Sequence, residues 1–183
     1  MDYENWPDER WIDVSQSSWQ DFLVGKANEF KELGSDGLFL DNFDVYYIAS
    51  EEYECEDSFK EGIYKGCKDI LDKLDALGLD ILINSGTTFL ERMNEEKNSS
   101  LSKIDWYAQE CVFSKIIDYE KDTFGKQDKE DHDYYVEMID MMKEYSKVLM
   151  IEYTKDNNLI QQIKDFAASK NISYYISDSI YLW

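Results

Sequence analysis

Apolar positions along the chain alternate between two spacings, short continuous runs and recurrences of three or four residues, which predicts strands and helices in turn. The run RWIDVS at 10–15 predicts a first strand. Ser17 or Ser18 is the expected cap of a helix with Phe22, Leu23, Ala27, Phe30 and Leu33 on one face and Gly34 at its end. A second strand is expected at 36–41, where the unbroken run Leu38-Phe39-Leu40 suits a strand covered on both faces. The strongest helix spans 58–78: Ser58 and Glu61 have capping-box spacing, Phe59, Ile63, Cys67, Ile70, Leu71, Leu74 and Leu77 share a face, and Gly78 closes it. Strand 79–84 and a helix near 87–97 follow, then strand 104–113 and a polar loop at 118–129. A helix over 131–146, strand 147–154, a helix capped by Asn157 or Asn158 and strand 172–177 complete the order.

Six strands and five helices in strict alternation predict an α/β fold with a parallel sheet. An open doubly wound sheet and part of a (β/α)8 barrel both fit. No G-x-G-x-x-G follows the first strand and no Walker sequence is present, which weighs against a nucleotide-binding open sheet. With no repeat beyond the strand–helix unit and no linker-like stretch, residues 1–183 read as a single domain.

Polar residues collect where these strands should end. The second ends in Asp41-Asn42 with Asp44 beyond, the third in Asn84-Ser85-Gly86, and the sixth in Ser177-Asp178-Ser179. The fourth carries Gln109-Glu110, the fifth Glu152-Tyr153, and the first contains Asp13. In a parallel fold these ends lie on one side, where ligands bind. A strand carboxylate is costly unless it is paired or solvated in a site, so the recurrence of Asp41, Glu110 and Glu152 points to a site. The alternative for each is a helix cap or an ion pair with Lys or Arg.

Composition narrows the chemistry. The formal net charge is −21, which disfavours a nucleic-acid backbone as partner and suits a cationic one; solubility alone also accounts for such a charge. A single His132, read as part of a solvated helix face, and three dispersed cysteines (Cys55, Cys67, Cys111) give no metal-ligand spacing and no nucleophile motif. All three cysteines are expected as free thiols, with Cys67 and Cys111 in the core. No metal or other cofactor is expected. No apolar run reaches the roughly 20 residues of a membrane helix, and the start MDYENWPDER has no secretory pattern. Paired carboxylates without a metal histidine suggest glycoside hydrolysis, in which one carboxyl protonates the leaving oxygen and the other attacks, or activates water. Tyr46, Tyr47, Phe113, Tyr153, Trp11 and Trp106 are candidates to stack on sugar rings, or else core residues.

Six blocks then carry a resemblance: NWPDERWIDVSQSSWQ, GSDGLFLDNFDVYY, LINSGTTFL, QECVFS, IEYTKD and YYISDSI, in that order over residues 5–180. They resemble glycoside hydrolase family 114, the endo-α-1,4-polygalactosaminidase-like proteins, and DG-x-x-x-DN-x-D-x-Y is the most specific piece. The resemblance implies a (β/α)8 TIM barrel, usually secreted or envelope-associated, that hydrolyses galactosamine-containing polysaccharide. It implies Asp41 as nucleophile and Glu110 as general acid/base, with Asn42, Asp44, Tyr46, Asn84, Glu152 and Tyr153 around the sugar. The family's first two strands precede the W-x-D block, which begins here at Trp11. The expectation is therefore a barrel lacking its first two strand–helix units, with open edges through which copies can self-associate. Two other readings are a non-catalytic carbohydrate-binding or envelope protein on this scaffold, and an acidic protein holding Mg²⁺ or another cation through Asp41, Asp44 and Glu110.

Overall fold

The computed structural model describes residues 9–53 and 55–181. The chain forms two compact units, one ending at Ile104 and the other beginning at Asp105.

In the first unit, helix α1 (Ser17–Glu32) leads to strand β1 (Gly37–Leu40), and the short helix α2 (Val45–Tyr47) runs on into a π-helical turn (Ile48–Glu52). Helix α3 (Asp57–Asp75), strand β2 (Asp80–Asn84), helix α4 (Thr87–Glu95) and a 3₁₀ turn (Ser99–Lys103) complete it. β1 and β2 are parallel, paired from Gly37 with Asp80 to Leu40 with Ile83. The core is the apolar face of α3 (Ile63, Cys67, Leu71) packed with Ile81 and Ile83 of β2 and Phe89, Leu90 and Met93 of α4, all buried. This is the burial that the helical and strand spacings require.

The second unit opens with strand β3 (Trp106–Glu110), followed by the hairpin β4 (Ser114–Asp118) and β5 (Thr123–Lys126). Helix α5 (Lys129–Met142), strand β6 (Lys147–Tyr153), helix α6 (Asn157–Lys170) and strand β7 (Ser173–Ser177) follow. β6 is parallel to both neighbours, with Glu110 opposite Ile151 on one side and Tyr153 opposite Ser177 on the other. Tyr107, Met150, Ile139, Met142 and Ile163 form its buried centre. Among the described residues no helix is long and apolar enough to cross a membrane.

Among the described residues the fold is α/β, with two parallel strands in the first unit and three in the second, one fewer in all than the sequence pattern predicts. The strand expected at 10–15 does not form beyond a single bridge at Arg10. Asp13 turns the chain instead: its carboxylate accepts the Ser15 N–H at 3.1 Å and the Gln16 side chain at 2.7 Å, and Gln16 N–H reaches the Asp13 carbonyl. A side chain that satisfies the backbone locally competes with a sheet ladder.

The expected polar loop at 118–129 is in part the antiparallel hairpin, with a register shift between Ile116 and Asp118. Strand 104–113 stops at Glu110 because Cys111 takes a left-handed φ of 57°. β1 is not covered on both faces, since Phe39 is 50% exposed. The predicted caps also move outward. Gln16 and Glu56 precede α1 and α3 without side-chain capping bonds, so Ser17, Ser18 and Ser58 lie inside their helices. Asp156, not Asn157 or Asn158, caps α6 by accepting the Asn158 N–H at 2.8 Å. The three cysteines are free thiols; Cys67 is buried and Cys111 half-buried.

Gly66 lies in the middle of α3, where alanine would ordinarily gain about 1 kcal/mol. Here a Cβ would stand 2.5 Å from the Val14 carbonyl oxygen and 2.8 Å from Ser15 N. Overpacking costs about 1–3 kcal/mol. Gly66→Ala is therefore expected to lower the urea midpoint despite its better propensity, because the turn at 13–16 must leave α3.

Candidate active site

β1 ends at Leu40, and Asp41 is exposed just beyond its carboxyl end. One Asp41 oxygen accepts the Asn42 backbone N–H at 2.9 Å and the Asn84 side-chain amide at 3.2 Å. Asn42 is left-handed (φ 65°), a conformation that Asn tolerates better than most side chains, and it turns the chain toward α2. The parallel pairing sets Leu40 opposite Ile83, so buried Asn84, which follows, reaches across the ladder to the residue after Leu40. Asp44 accepts the Gly86 N–H at 3.2 Å, tying the turn after β1 to the turn after β2. Gly86 has φ 69°, and a Cβ there would lie 2.7 Å from that of Phe43. Asp41, Asn42, Asp44 and Asn84 thus sit together at the ends of two adjacent strands.

Tyr46 stands apart from this group. It is buried, its ring lies 5.4 Å from that of Tyr64, and its hydroxyl accepts from Arg92 at 2.8 Å. Arg92 also forks onto both Glu61 oxygens at 2.8 Å, donates to Glu96 at 3.0 Å and lies 3.8 Å over the Tyr64 ring. Glu61 and Glu96 are both held below the usual carboxylate range, Glu61 by the Arg92 hydrogen bond and Glu96 by the Tyr64 hydroxyl and then Arg92. Tyr46 is therefore a brace between α2, α3 and α4. Arg92→Lys, which keeps the charge but loses the planar fork and the ring stacking, is expected to cost about 1–2 kcal/mol in chemical denaturation.

Beside Asp41 and Asn42 lies a cleft of about 420 Å³ walled by Trp11, Trp19, Leu23, Phe39 and Phe43, among others. Trp11 is the one residue of the proposed stacking set that lines it.

In the second unit, Glu110 ends β3 and is half-buried. The Tyr153 hydroxyl, from the last residue of β6, donates to its Oε2 at 3.0 Å. Burial and the neighbouring Glu110 push the Tyr153 phenol up, so it stays protonated and available as a donor. Burial, then Glu152 and Glu110, push the Cys111 thiol up to about 12, so it is not a thiolate nucleophile.

Glu152 does not line an open surface. It is wholly buried: its carboxyl accepts the Phe113 N–H at 3.0 Å, the Ser114 N–H at 2.9 Å and the Ser114 hydroxyl at 2.6 Å. Ser114 Oγ in turn accepts the Tyr153 N–H at 2.9 Å. Burial pushes Glu152 up to about 7, against the pull of these donors. Its visible work is to fix the turn after Glu110 to β6.

His132, expected on a solvated face, is half-buried: Nδ1 lies 2.8 Å from the Val112 carbonyl and the ring packs edge-on to Phe113 at 4.6 Å. Phe113 is buried and also packs on Phe166. Trp106 begins β3, at the opposite end from Glu110, beside Lys147. Tyr47 donates to Glu52 at 2.6 Å. Sequence reasoning missed the Ser114 hydroxyl; the alternation in SKIID at 114–118 is the one signal that could have found this hairpin.

Each unit of this α/β protein thus carries a carboxylate at the carboxyl end of a parallel strand, Asp41 beside Asn84 in the first and Glu110 beside Tyr153 in the second. The family model of glycoside-hydrolase family GH114 matches residues 1–180, and the chain belongs to that family. The family makes this a glycoside hydrolase chain and implies a carbohydrate substrate. No curated protein sequence matches the chain.

Proposed function

We propose that the protein is an endo-acting hydrolase of α-1,4-linked galactosamine-containing polysaccharide, built on a (β/α)-barrel type of scaffold. Asp41 is the nucleophile and Glu110 the general acid/base. The observation that carries this reading is Glu110: a half-buried carboxyl at the end of β3, gripped by the Tyr153 hydroxyl, in a chain of glycoside hydrolase family GH114. In the first step Glu110 gives its proton to the glycosidic oxygen while Asp41 attacks the anomeric carbon and the leaving chain departs. In the second, Glu110 as carboxylate takes a proton from water, which displaces Asp41. Tyr153 positions the general acid/base, its hydroxyl donating to Glu110 Oε2 at 3.0 Å. Asn84 and the Asn42 N–H hold Asp41 in place by donating to one of its oxygens.

The test is release of new reducing ends from α-1,4-galactosamine polymer, deacetylated and acetylated. Release by the wild type and loss in Glu110→Gln support the reading; no release from either polymer overturns it. The role assignment is that of a retaining enzyme, so NMR of the first-formed product is expected to show the α anomer. A β product would make Asp41 a base toward water instead. The net charge of −21 favours a polycation. KM for the deacetylated polymer is therefore expected to rise severalfold between low salt and about 0.5 M, where the Debye length shrinks to a few Å, while KM for the acetylated polymer changes less.

A further inference from the structure

Strand β7 pairs with β6 and has no second strand beside it among the described residues. Sheet edges are usually blunted by a charge, a proline, a bulge or a cover, because bare backbone groups recruit another strand. The run SYYIS at 173–177 has neither charge nor proline, in a chain of net charge −21. Its tyrosines are not drawn into the core: Tyr174 is 42% and Tyr175 44% exposed. The register shows which backbone groups are on offer. In a parallel ladder, alternate residues turn both backbone groups to the same neighbour. The Ser177 carbonyl accepts the Thr154 N–H on the β6 side, so Ser173 and Tyr175 also turn toward β6, while Tyr174 and Ile176 turn outward. The next outward position in one direction is Ile172, whose N–H is committed to the Ala167 carbonyl. In the other direction it is Asp178.

We propose that β7 is a self-recognition edge, through which two copies of this chain join antiparallel with the twofold axis at Tyr175. The run SYYIS is nearly its own reverse. This register therefore sets Tyr175 opposite Tyr175, Tyr174 of each copy opposite Ile176 of the other, and Ser173 opposite Ser177. It is also the register that uses the outward groups, because each facing Tyr174 and Ile176 exchange both their N–H···O bonds. Tyr and Ile make an aromatic–β-branched pair of the kind that stabilises sheets. A shift toward Ile172 meets an N–H already in use, and a shift toward Asp178 draws the two Asp178 carboxylates together. With the axis at Tyr175, Asp178 lies opposite Ile172, roughly 20 Å along the ladder from its twin, beyond the Debye length of about 8 Å in physiological salt. Strand β1 is uncharged too, but Asp36 and Asp41 bracket it, and pairing it with itself brings carboxylates of opposite copies together. The inference does not depend on the hydrolase reading.

The test is sedimentation velocity of the full chain across the micromolar range. A monomer–dimer equilibrium is expected, and it shifts toward dimer as salt rises, because two copies of the same net charge repel and screening relieves the repulsion. A chain that stays monomeric at every concentration and salt overturns the proposal and leaves the edge to another protein. Tyr175→Lys sets two ammonium groups opposite each other at the axis. It is expected to weaken dimerisation about tenfold or more, with the far-UV spectrum unchanged. Cysteine variants read the register independently of that substitution. Under mild oxidation Tyr175→Cys is expected to form a disulfide between copies, because directly opposed residues of an antiparallel pair hold their Cβ atoms near bridging distance. Ser173→Cys faces Ser177 of the other copy and is expected to crosslink no faster than the wild type with its three native thiols. A dimer untouched by Tyr175→Lys, or crosslinking as fast at Ser173→Cys as at Tyr175→Cys, overturns the proposal.

Discussion

Glu110→Gln is expected to lower turnover on galactosamine polymer by about 10²–10⁴-fold, the range that a general acid/base supplies, with the melting midpoint close to that of the wild type. The substitution is nearly isosteric. The Tyr153 hydroxyl that donates to Oε2 at 3.0 Å finds an amide oxygen in the same place, so the brace between β3 and β6 survives. What is lost is the exchangeable proton. Asp41→Asn is expected to lose at least as much, because an amide cannot form the glycosyl ester, while its oxygen still accepts from Asn84 and the Asn42 N–H. The two losses together are not expected to add, since both groups serve one reaction. Polymer turnover at the wild-type rate in either variant, measured as reducing ends per minute on folded protein, would remove the assignment.

Glu152→Ala is expected to be the most destabilising single substitution near the candidate site, by about 3–5 kcal/mol. It strands three buried donors at once: the N–H groups of Phe113 and Ser114 and the Ser114 hydroxyl. The Tyr153 N–H, which depends on Ser114 Oγ, loses a fixed acceptor as well. Urea denaturation gives the size. Hydrogen exchange at 113–114 and 153 tests the location, since loss of protection elsewhere but not there would contradict the account.

The same group sets a pH dependence of opposite sign to the usual carboxylate. Its folded pKa of about 7 lies above the ordinary value of 4.5, so the folded state binds its proton more tightly than the unfolded state. Its contribution to stability is fully present below about pH 4.5 and is lost as pH rises through about 7. Glu61, Glu96, Asp72 and Asp118 are shifted down, and their contributions run the other way, lost as pH falls through their lowered values. Between pH 5 and 8 the wild type is therefore expected to lose stability with a slope that Glu152→Gln removes. An unchanged slope in that variant would assign it to other groups.

Much of the fold was legible because parallel strands and their helices leave period-specific traces. The unbroken run in LDILIN and the seven-residue apolar face over 58–78 admit few alternatives, and β2 and α3 form there. Asp41, Asn84 and Glu110 were legible as strand-end residues, because a polar group that closes an apolar run has to lie at that run's end. Three features were not. The segment 10–15 has strand composition, but Asp13 turns it by bonding to Ser15 and Gln16, a choice that composition does not encode. The hairpin at 114–126 is half polar and only four or five residues per strand, too short to separate from a loop. Helix α2 and its π turn follow directly on the polar tip of β1, where carboxylates and aromatics suggested only a site.

The sequence by itself determined that this is an α/β chain with parallel strands and carboxylates at their ends, since periodicity and the cost of burying charge act along the chain. Only tertiary structure decided what each polar residue does. Glu110 and Glu152 look alike on paper, each closing an apolar run. Yet one is half-buried and accepts the Tyr153 hydroxyl, while the other is wholly enclosed, with the donors of Phe113 and Ser114 on its carboxyl. Tyr46 and Tyr153 likewise differ by what lies opposite them, an arginine brace in one case and a strand-end carboxylate in the other. Those partners lie some 40 or more residues away in the chain and are brought close by packing, so no local pattern could have told the two pairs apart.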